Sequence, residues 1–308
     1  MIHNTRTTNK YANRGDIMIH YGTTTKVGEN EINIYSEGNG SLTIVFMAGS
    51  GIGCPALEYK PIYRRMSDEY RIAVVEKAGY GLSGPAKTAR TVENLVEESR
   101  TALRNLGILP PYILAPHSYS GFEAIWWANT YPEEIKAVLS LDMGFPNMMK
   151  AQAKEIPADK KKAMVNRTRK LMQKVAKRGF FAKILKKQTV NASGLLDGGE
   201  LTDDEKNTYT EVYYKNAASE AVFEESVLAE ENAVKADSTG PLSCPSCLIV
   251  SNMKTPVKAI TWQQAAKEYA ESCKNAELHI LSEGHMMYAR IPDKIVSIFR
   301  EFLKKYNL

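Results

Sequence analysis

Short runs of apolar residues alternate with helix-like patterns over the first half of the chain. Strands are predicted at residues 32–35, 42–47, 70–75, 112–115 and 137–141. Most of these runs are apolar throughout, as expected of strands that a sheet buries on both faces. Helices are predicted between them, at residues 57–66, between a capping Thr91 and a terminating Gly107, and at 122–130. This alternation predicts an α/β fold, with a mostly parallel central sheet flanked by helices.

The alternation stops near residue 145. Residues 145–240 are charged and helix-like, with no clear strand. The alternation then resumes with a strand at 247–250, a helix at 261–273, a strand at 277–281 and a helix at 293–305. We therefore predict an α/β core formed by residues 1–144 and 241–308, interrupted by a helical cap insertion at 145–240.

Composition narrows the class of protein. The 308 residues are 44% hydrophobic and 24% charged, which is typical of a packed globular protein. No apolar run reaches the roughly 18 residues of a membrane-spanning helix, and no apolar stretch follows Arg6 to form a secretory signal. Four cysteines are too few for a disulfide framework, so we expect a cytoplasmic protein.

The formal net charge of +5 is unevenly distributed. Residues 150–187 hold 14 Lys and Arg against two acids, whereas residues 200–231 hold ten acids against two Lys. This favours two neighbouring helices of opposite charge over a nucleic-acid surface, which needs an uncovered basic stripe. A basic rim that attracts anionic substrates or anionic lipid is the alternative.

A candidate nucleophile lies where the strand at 112–115 turns into the next helix. Residues 115–121 read Ala-Pro-His-Ser-Tyr-Ser-Gly, so Ser118 projects from the turn. A serine nucleophile in Gly-x-Ser-x-Gly occupies this kind of strand-to-helix turn, but here Pro116 and Ser120 replace the two glycines. The alternative is that Ser118 only caps the helix.

Two further residues fall at the same predicted edge of the sheet. His285 follows the last strand and could take the serine proton, although a single loop histidine is often merely exposed. Asp142 follows the strand at 137–141 and could orient that histidine, or it could only form a turn. The chain order Ser118, Asp142, His285 is that of serine hydrolases with a nucleophile elbow.

Two glycine-rich stretches follow strands at this edge. Residues 48–53 contain no Lys and so do not form a phosphate-binding loop, but the backbone N–H of Ser50 could join that of Tyr119 in an oxyanion hole. Residues 76–83 are predicted to form a turn. We predict no metal and no organic cofactor.

Cys244 and Cys247 have the spacing of a redox or metal-binding pair. Zinc sites of this kind require a second pair, and redox pairs precede a helix rather than a strand. We interpret the spacing as coincidental.

Together these residues resemble the α/β-hydrolase superfamily with a helical cap. Ser118 matches the nucleophile of its Gly-His-Ser-x-Gly-Gly segment, which reads Pro-His-Ser-Tyr-Ser-Gly here. Ser50 falls at the first donor of its His-Gly-x segment, with Ala48 in place of the histidine. Residues 76–83 are similar to its Asp-Arg-x-Gly-x-Gly-x-Ser turn. Gly284-His285 matches its catalytic histidine. The departure is the acid, which most members place after the strand that here ends at Val250.

The resemblance implies a serine hydrolase acting on a small-molecule ester or related acyl bond. Ser118 rather than aspartate separates the chain from epoxide hydrolases and haloalkane dehalogenases of the same fold. The elbow also lacks the Gly-Gly-Ser-Trp-Gly of proline iminopeptidases. Cap residues are expected to roof the pocket, among them Met164, Leu171, Tyr209 and Tyr213. The altered elbow and the displaced acid leave a non-hydrolysing binder or sensor as the alternative. Substrate identity and oligomeric state stay open.

Overall fold

The computed structural model describes residues 20–255 and 257–308. Its centre is an eight-stranded sheet with the order β1-β2-β4-β3-β5-β6-β7-β8. The strands are β1 (Thr23–Val27), β2 (Asn30–Glu37), β3 (Thr43–Met47), β4 (Arg71–Glu76), β5 (Tyr112–Ser118), β6 (Ile135–Met143), β7 (Ser246–Val250) and β8 (Ala276–Ile280). Strand β2 runs antiparallel to both of its neighbours, and all other pairs are parallel. The predicted α/β class and mostly parallel sheet are confirmed.

Helices cover both faces of this sheet. The helices of the core are α1 (Pro55–Glu58), α2 (Lys60–Tyr63), α3 (Val92–Asn105), α4 (Ser120–Thr130), α10 (Trp262–Ser272) and α11 (Pro292–Lys305). Alternate residues of β3 face opposite ways: Val45 packs in the apolar layer shared with α3, α4 and α10, whereas Phe46 packs in the layer shared with α2 and α11. Both layers are buried apolar cores, so the carboxyl ends of the strands have fixed positions.

Between β6 and β7 the structure has no regular strand among the residues it describes. This stretch contains α5 (Pro146–Glu155), α6 (Ala158–Ala176), α7 (Phe180–Ile184), α8 (Asp203–Asn216) and α9 (Glu220–Asp237). We call residues 145–240 the cap, and their division from the core stays a prediction. The predicted pairing of oppositely charged helices is confirmed by ion pairs Lys161–Glu230, Arg169–Glu220 and Arg178–Glu211.

Two sequence expectations need correction. The helix predicted at 57–66 is instead the short pair α1 and α2, because Pro61 has no N–H to donate to the preceding turn. Strand β1 was not predicted, because its Thr-Thr-Thr-Lys-Val sequence lies at the exposed sheet edge and carries no apolar pattern.

No helix within residues 20–255 and 257–308 has the length and apolar character that crossing a membrane requires.

Candidate active site

Ser118 ends β5 in a left-handed backbone conformation, with φ of +52°. This conformation is strained for a residue other than glycine and is typical of functional turns. Two glycines make room for it. A Cβ on Gly49 would lie 2.8 Å from the Ser118 Cβ, and one on Gly121 would lie 2.4 Å from the Gly144 carbonyl oxygen. Strand, turn and helix are therefore packed with no space for larger residues.

Ser120 explains how the turn tolerates the loss of a motif glycine. Its hydroxyl accepts a hydrogen bond from the His117 N–H at 2.9 Å and can donate to the Met47 carbonyl oxygen at 2.8 Å. The side chain is fully buried and links the end of β3 to the turn after β5. Serine is larger than the glycine of the motif, but the Ser120 hydroxyl makes two hydrogen bonds that hold the turn in place.

His285 and Asp142 are in direct contact. The His285 Nδ1 lies 2.5 Å from Asp142 Oδ2, although 143 positions separate the two residues. Asp142 is fully buried near the end of β6, with φ of +60°, and the His285 side chain is 24% exposed in the loop after β8. The structure thus brings together the imidazole and the carboxylate that the sequence analysis paired.

The other oxygen of Asp142 is held by two donors. Asp142 Oδ1 accepts the Ser251 backbone N–H at 2.8 Å and the Trp262 indole N–H at 2.7 Å. The Trp262 ring also packs edge to face against the His285 ring, with 5.8 Å between the ring centroids. Sequence analysis missed both donors. The loop after β7, which carries no acid, instead supplies an N–H to an acid on the neighbouring strand.

His117, which precedes Ser118, packs against the candidate base His285. The ring centroids of His117 and His285 are 4.6 Å apart, and His117 Nε2 lies 3.4 Å from the His285 carbonyl oxygen. Burial, reinforced by the nearby His285, holds the pKa of His117 well below its usual value, so its imidazole is neutral. No hydrogen bond joins the Ser118 hydroxyl to His285 within the described part of the chain, and such contacts often tighten only when substrate binds.

Ser50 and Tyr119 flank Ser118 from two loops. Ser50 follows Gly49, which packs against Ser118, and Tyr119 opens the turn into α4. The Tyr119 hydroxyl accepts a hydrogen bond from the Asn232 side chain of α9 at 2.5 Å. The arrangement is compatible with the oxyanion role expected for the two backbone N–H groups, which stays a prediction.

A cavity of about 420 Å³ is lined by Ser50, Gly51 and Gly53 of the core and by residues of the cap, whereas Ser118 and His285 do not line it. Its wall includes Met164, Thr168 and Met172 of α6 and Tyr213 of α8, and no charged side chain lines it. Met164 and Tyr213 were expected there. Leu171 and Tyr209 do not line this cavity: Leu171 is 38% exposed, and Tyr209 donates its hydroxyl to buried Glu58.

The turn at residues 76–83 has a second feature that the sequence analysis missed. It forms a turn as predicted, with Gly79 and Gly81 in left-handed conformations. Lys77, however, is only 3% exposed, and its ammonium group lies 2.9 Å from Glu123 and 3.0 Å from Glu225. A charged residue directly after an apolar strand was the available signal, because Lys is rarely buried unless it is paired.

The four cysteines are free thiols. Cys247 lies inside β7, and burial raises its thiol pKa. Burial also raises the pKa of Cys244 to about 11, so neither is a reactive thiolate at neutral pH. Over the ranges that the structure describes, no three His, Cys, Asp or Glu side chains are grouped as metal ligands.

Comparison with known proteins agrees with this geometry. No protein-family model matches the chain. It is 33% identical over 288 residues to the uncharacterized protein YbdG of Bacillus subtilis, covering 92% of this chain and 86% of that protein. Its fold matches the enol-lactonase of Burkholderia xenovorans with a TM-score of 0.61 at 17% identity, covering 92% of this chain and all of that one. The chain has the α/β-hydrolase fold.

A further relative matches a shorter stretch of the chain. The 2-(acetamidomethylene)succinate hydrolase of Mesorhizobium japonicum is 25% identical over 116 residues, 38% of this chain and 40% of that protein.

Proposed function

We propose that this α/β-hydrolase is a serine hydrolase that cleaves a small ester or related acyl bond. The observation that carries the proposal is the 2.5 Å contact between His285 Nδ1 and Asp142, at the sheet edge where Ser118 occupies a strained turn. A carboxylate on Nδ1 leaves Nε2 as the proton acceptor, which is what activation of a serine hydroxyl requires.

The proposed reaction has two halves. Ser118 Oγ attacks the substrate carbonyl carbon while His285 Nε2 takes the hydroxyl proton, and the backbone N–H groups of Ser50 and Tyr119 stabilise the oxyanion. The protonated His285 then donates that proton to the leaving alcohol, and an acyl-enzyme remains. Water attacks the acyl group with His285 again as base, which releases the acid and restores Ser118. Asp142 holds His285 in one tautomer throughout.

The cavity supports a neutral substrate. Its wall is mostly apolar, and polar groups such as those of Thr168 and Asn216 can orient an ester without charge recognition. The activities of the Mesorhizobium relative and the Burkholderia neighbour, a hydrolase and an enol-lactonase, support hydrolysis of an acyl bond. Serine at the elbow favours this reaction over the epoxide and haloalkane chemistry of other members.

A panel of p-nitrophenyl esters at pH 7–8 tests the proposal. Wild type should exceed background hydrolysis by orders of magnitude, and Ser118→Ala should lower kcat by a factor on the order of 10⁴ to 10⁶. Ser297→Ala, at an exposed position of α11, is the matched control and should retain full activity. Turnover by Ser118→Ala at the wild-type rate would exclude Ser118 as the nucleophile.

A non-hydrolysing binder or sensor is the second candidate. The observation that favours it is that no hydrogen bond joins the Ser118 hydroxyl to His285 in the part of the chain that the structure covers. It predicts that neutral esters bind with measurable affinity and that wild type turns them over no faster than Ser118→Ala.

A further inference from the structure

The cap carries exposed aromatic side chains at the junction of α6 and α7. Phe180 is 72% exposed, Phe181 42% and Ile184 57%. The two phenyl rings lie 6.1 Å apart, edge to face, so they form one apolar patch. Clustered large apolar side chains on a protein surface mark sites of interaction.

Cations surround this patch. Between Lys160 and Leu196 the chain has no Asp or Glu. The side of α6 nearest α8 and α9 is neutralised through Arg169 and Arg178. Nine exposed cations of this stretch form no ion pair in residues 20–255 and 257–308, among them Arg167, Lys170, Lys174, Lys177 and Lys183. Their positive charge is therefore available to a partner.

Helical geometry places four of these cations on one side of α6, and one of the four contacts the aromatic patch. At 100° per residue, Arg167, Lys170, Lys174 and Lys177 share one side of α6, opposite the side that lines the cavity with Thr168 and Met172. The Lys174 ammonium group lies 5.0 Å from the centre of the Phe181 ring. We call the four α6 cations, Lys183 and the patch of Phe180, Phe181 and Ile184 the basic aromatic face.

We propose that the basic aromatic face binds the surface of an anionic phospholipid bilayer. Phenyl rings and an isoleucine enter the boundary between headgroups and acyl chains, while lysines beside them meet anionic headgroups. This combination fits a bilayer better than duplex nucleic acid, whose backbone offers cations a partner but leaves Ile184 and the phenyl rings without one. The binding is peripheral and does not depend on Ser118.

Flotation of the full chain with vesicles tests this inference without any substrate. Wild type should float with phosphatidylcholine vesicles that contain about a third phosphatidylserine, should stay unbound with pure phosphatidylcholine, and should be released by salt. Lys170→Gln/Lys174→Gln/Lys177→Gln should bind on the order of 100-fold more weakly, at about fivefold per lysine. Phe180→Ser/Phe181→Ser/Ile184→Ser should lose binding with its cations intact.

A matched triple variant separates the face from net charge. Lys267→Gln/Lys294→Gln/Lys304→Gln removes the same charge from exposed positions of α10 and α11 and should bind like wild type. Circular dichroism confirms that each variant is folded. Three results would overturn the proposal: no flotation at low salt, equal weakening in both lysine variants, or tighter binding of an oligonucleotide than of vesicles.

Discussion

At the scale of single residues, Asp142 has the most completely specified environment in the site. One oxygen contacts His285, and the other accepts N–H groups from Ser251 and Trp262. A buried carboxylate with every partner in place cannot rotate away, so it fixes the orientation of the imidazole. Under the proposed function, Asp142 serves as the triad acid in place of the acid that the family resemblance expects after β7.

Asp142→Asn isolates this role. The amide oxygen can still accept from Ser251 and Trp262, but an amide on Nδ1 favours the wrong imidazole tautomer, so kcat should fall by about 10⁴-fold with little change in KM. Steady-state ester hydrolysis measures the effect, with exposed Asp159→Asn as the control. Full activity in Asp142→Asn would place the triad acid elsewhere.

The sequence predicted Ser118, Asp142 and His285 because each follows a recognisable strand, and parallel strands end at a common edge. It could not predict Trp262 or Ser251 as partners of Asp142. Their contacts depend on how the loop after β7 folds back toward β6, and no local pattern encodes that. Nor could the sequence distinguish Leu171 from Met164, which lies two turns earlier on the same side of α6: only Met164 lines the cavity.

At the scale of elements, a buried charge cluster joins the end of β4 to α4 and α9. Lys77 lies between Glu123 and Glu225, and the Tyr80 hydroxyl also donates to Glu225. Burial opposes the charge on Lys77, but the two carboxylates outweigh it and raise the pKa of the ammonium group. Burial raises the pKa of Glu123 despite Lys77. One cation thus holds a core helix and a cap helix together.

Removing that cation should be costly. Lys77→Met leaves two buried carboxyl groups without their cation and should lower the free energy of unfolding by about 3–5 kcal/mol. The double variant Lys77→Met/Glu225→Gln should cost less than the sum of its single variants, by about 1 kcal/mol or more. Urea unfolding measures both. Lys267→Met, which removes an exposed ion pair with Glu271, should change stability by under about 1 kcal/mol. Additive losses would mean that the cluster does not act as a unit.

Elements with an apolar face were predictable, including α11 and the Thr91-capped α3. Elements whose formation depends on neighbouring parts of the structure could not be predicted. Strand β1 exists because β2 offers it a hydrogen-bonding edge, and a helix at 57–66 is divided where Pro61 lacks an N–H.

At the scale of the whole molecule, the cap is anchored around the site by buried polar contacts. Glu58 of α1 accepts hydrogen bonds from the hydroxyl of Tyr209 in the cap and from that of Tyr288, which lies three residues after His285. Asn232 of α9 donates to the Tyr119 hydroxyl beside the elbow. Helix α6 contributes one side to the cavity and presents cations on the opposite side. The cap therefore links the candidate site, its cavity and the proposed bilayer-binding face.

Locating the adduct of a fluorophosphonate probe tests the central claim most directly. Wild-type protein is reacted with the probe, digested and analysed by peptide mass spectrometry, with His285→Ala in parallel. We predict a single adduct on the peptide that contains Ser118, and a reaction slowed by a factor on the order of 10³ or more in His285→Ala, since the base is then absent. An ester-hydrolysing protein whose adduct lies on another residue, or whose labelling is unchanged without His285, would contradict the account.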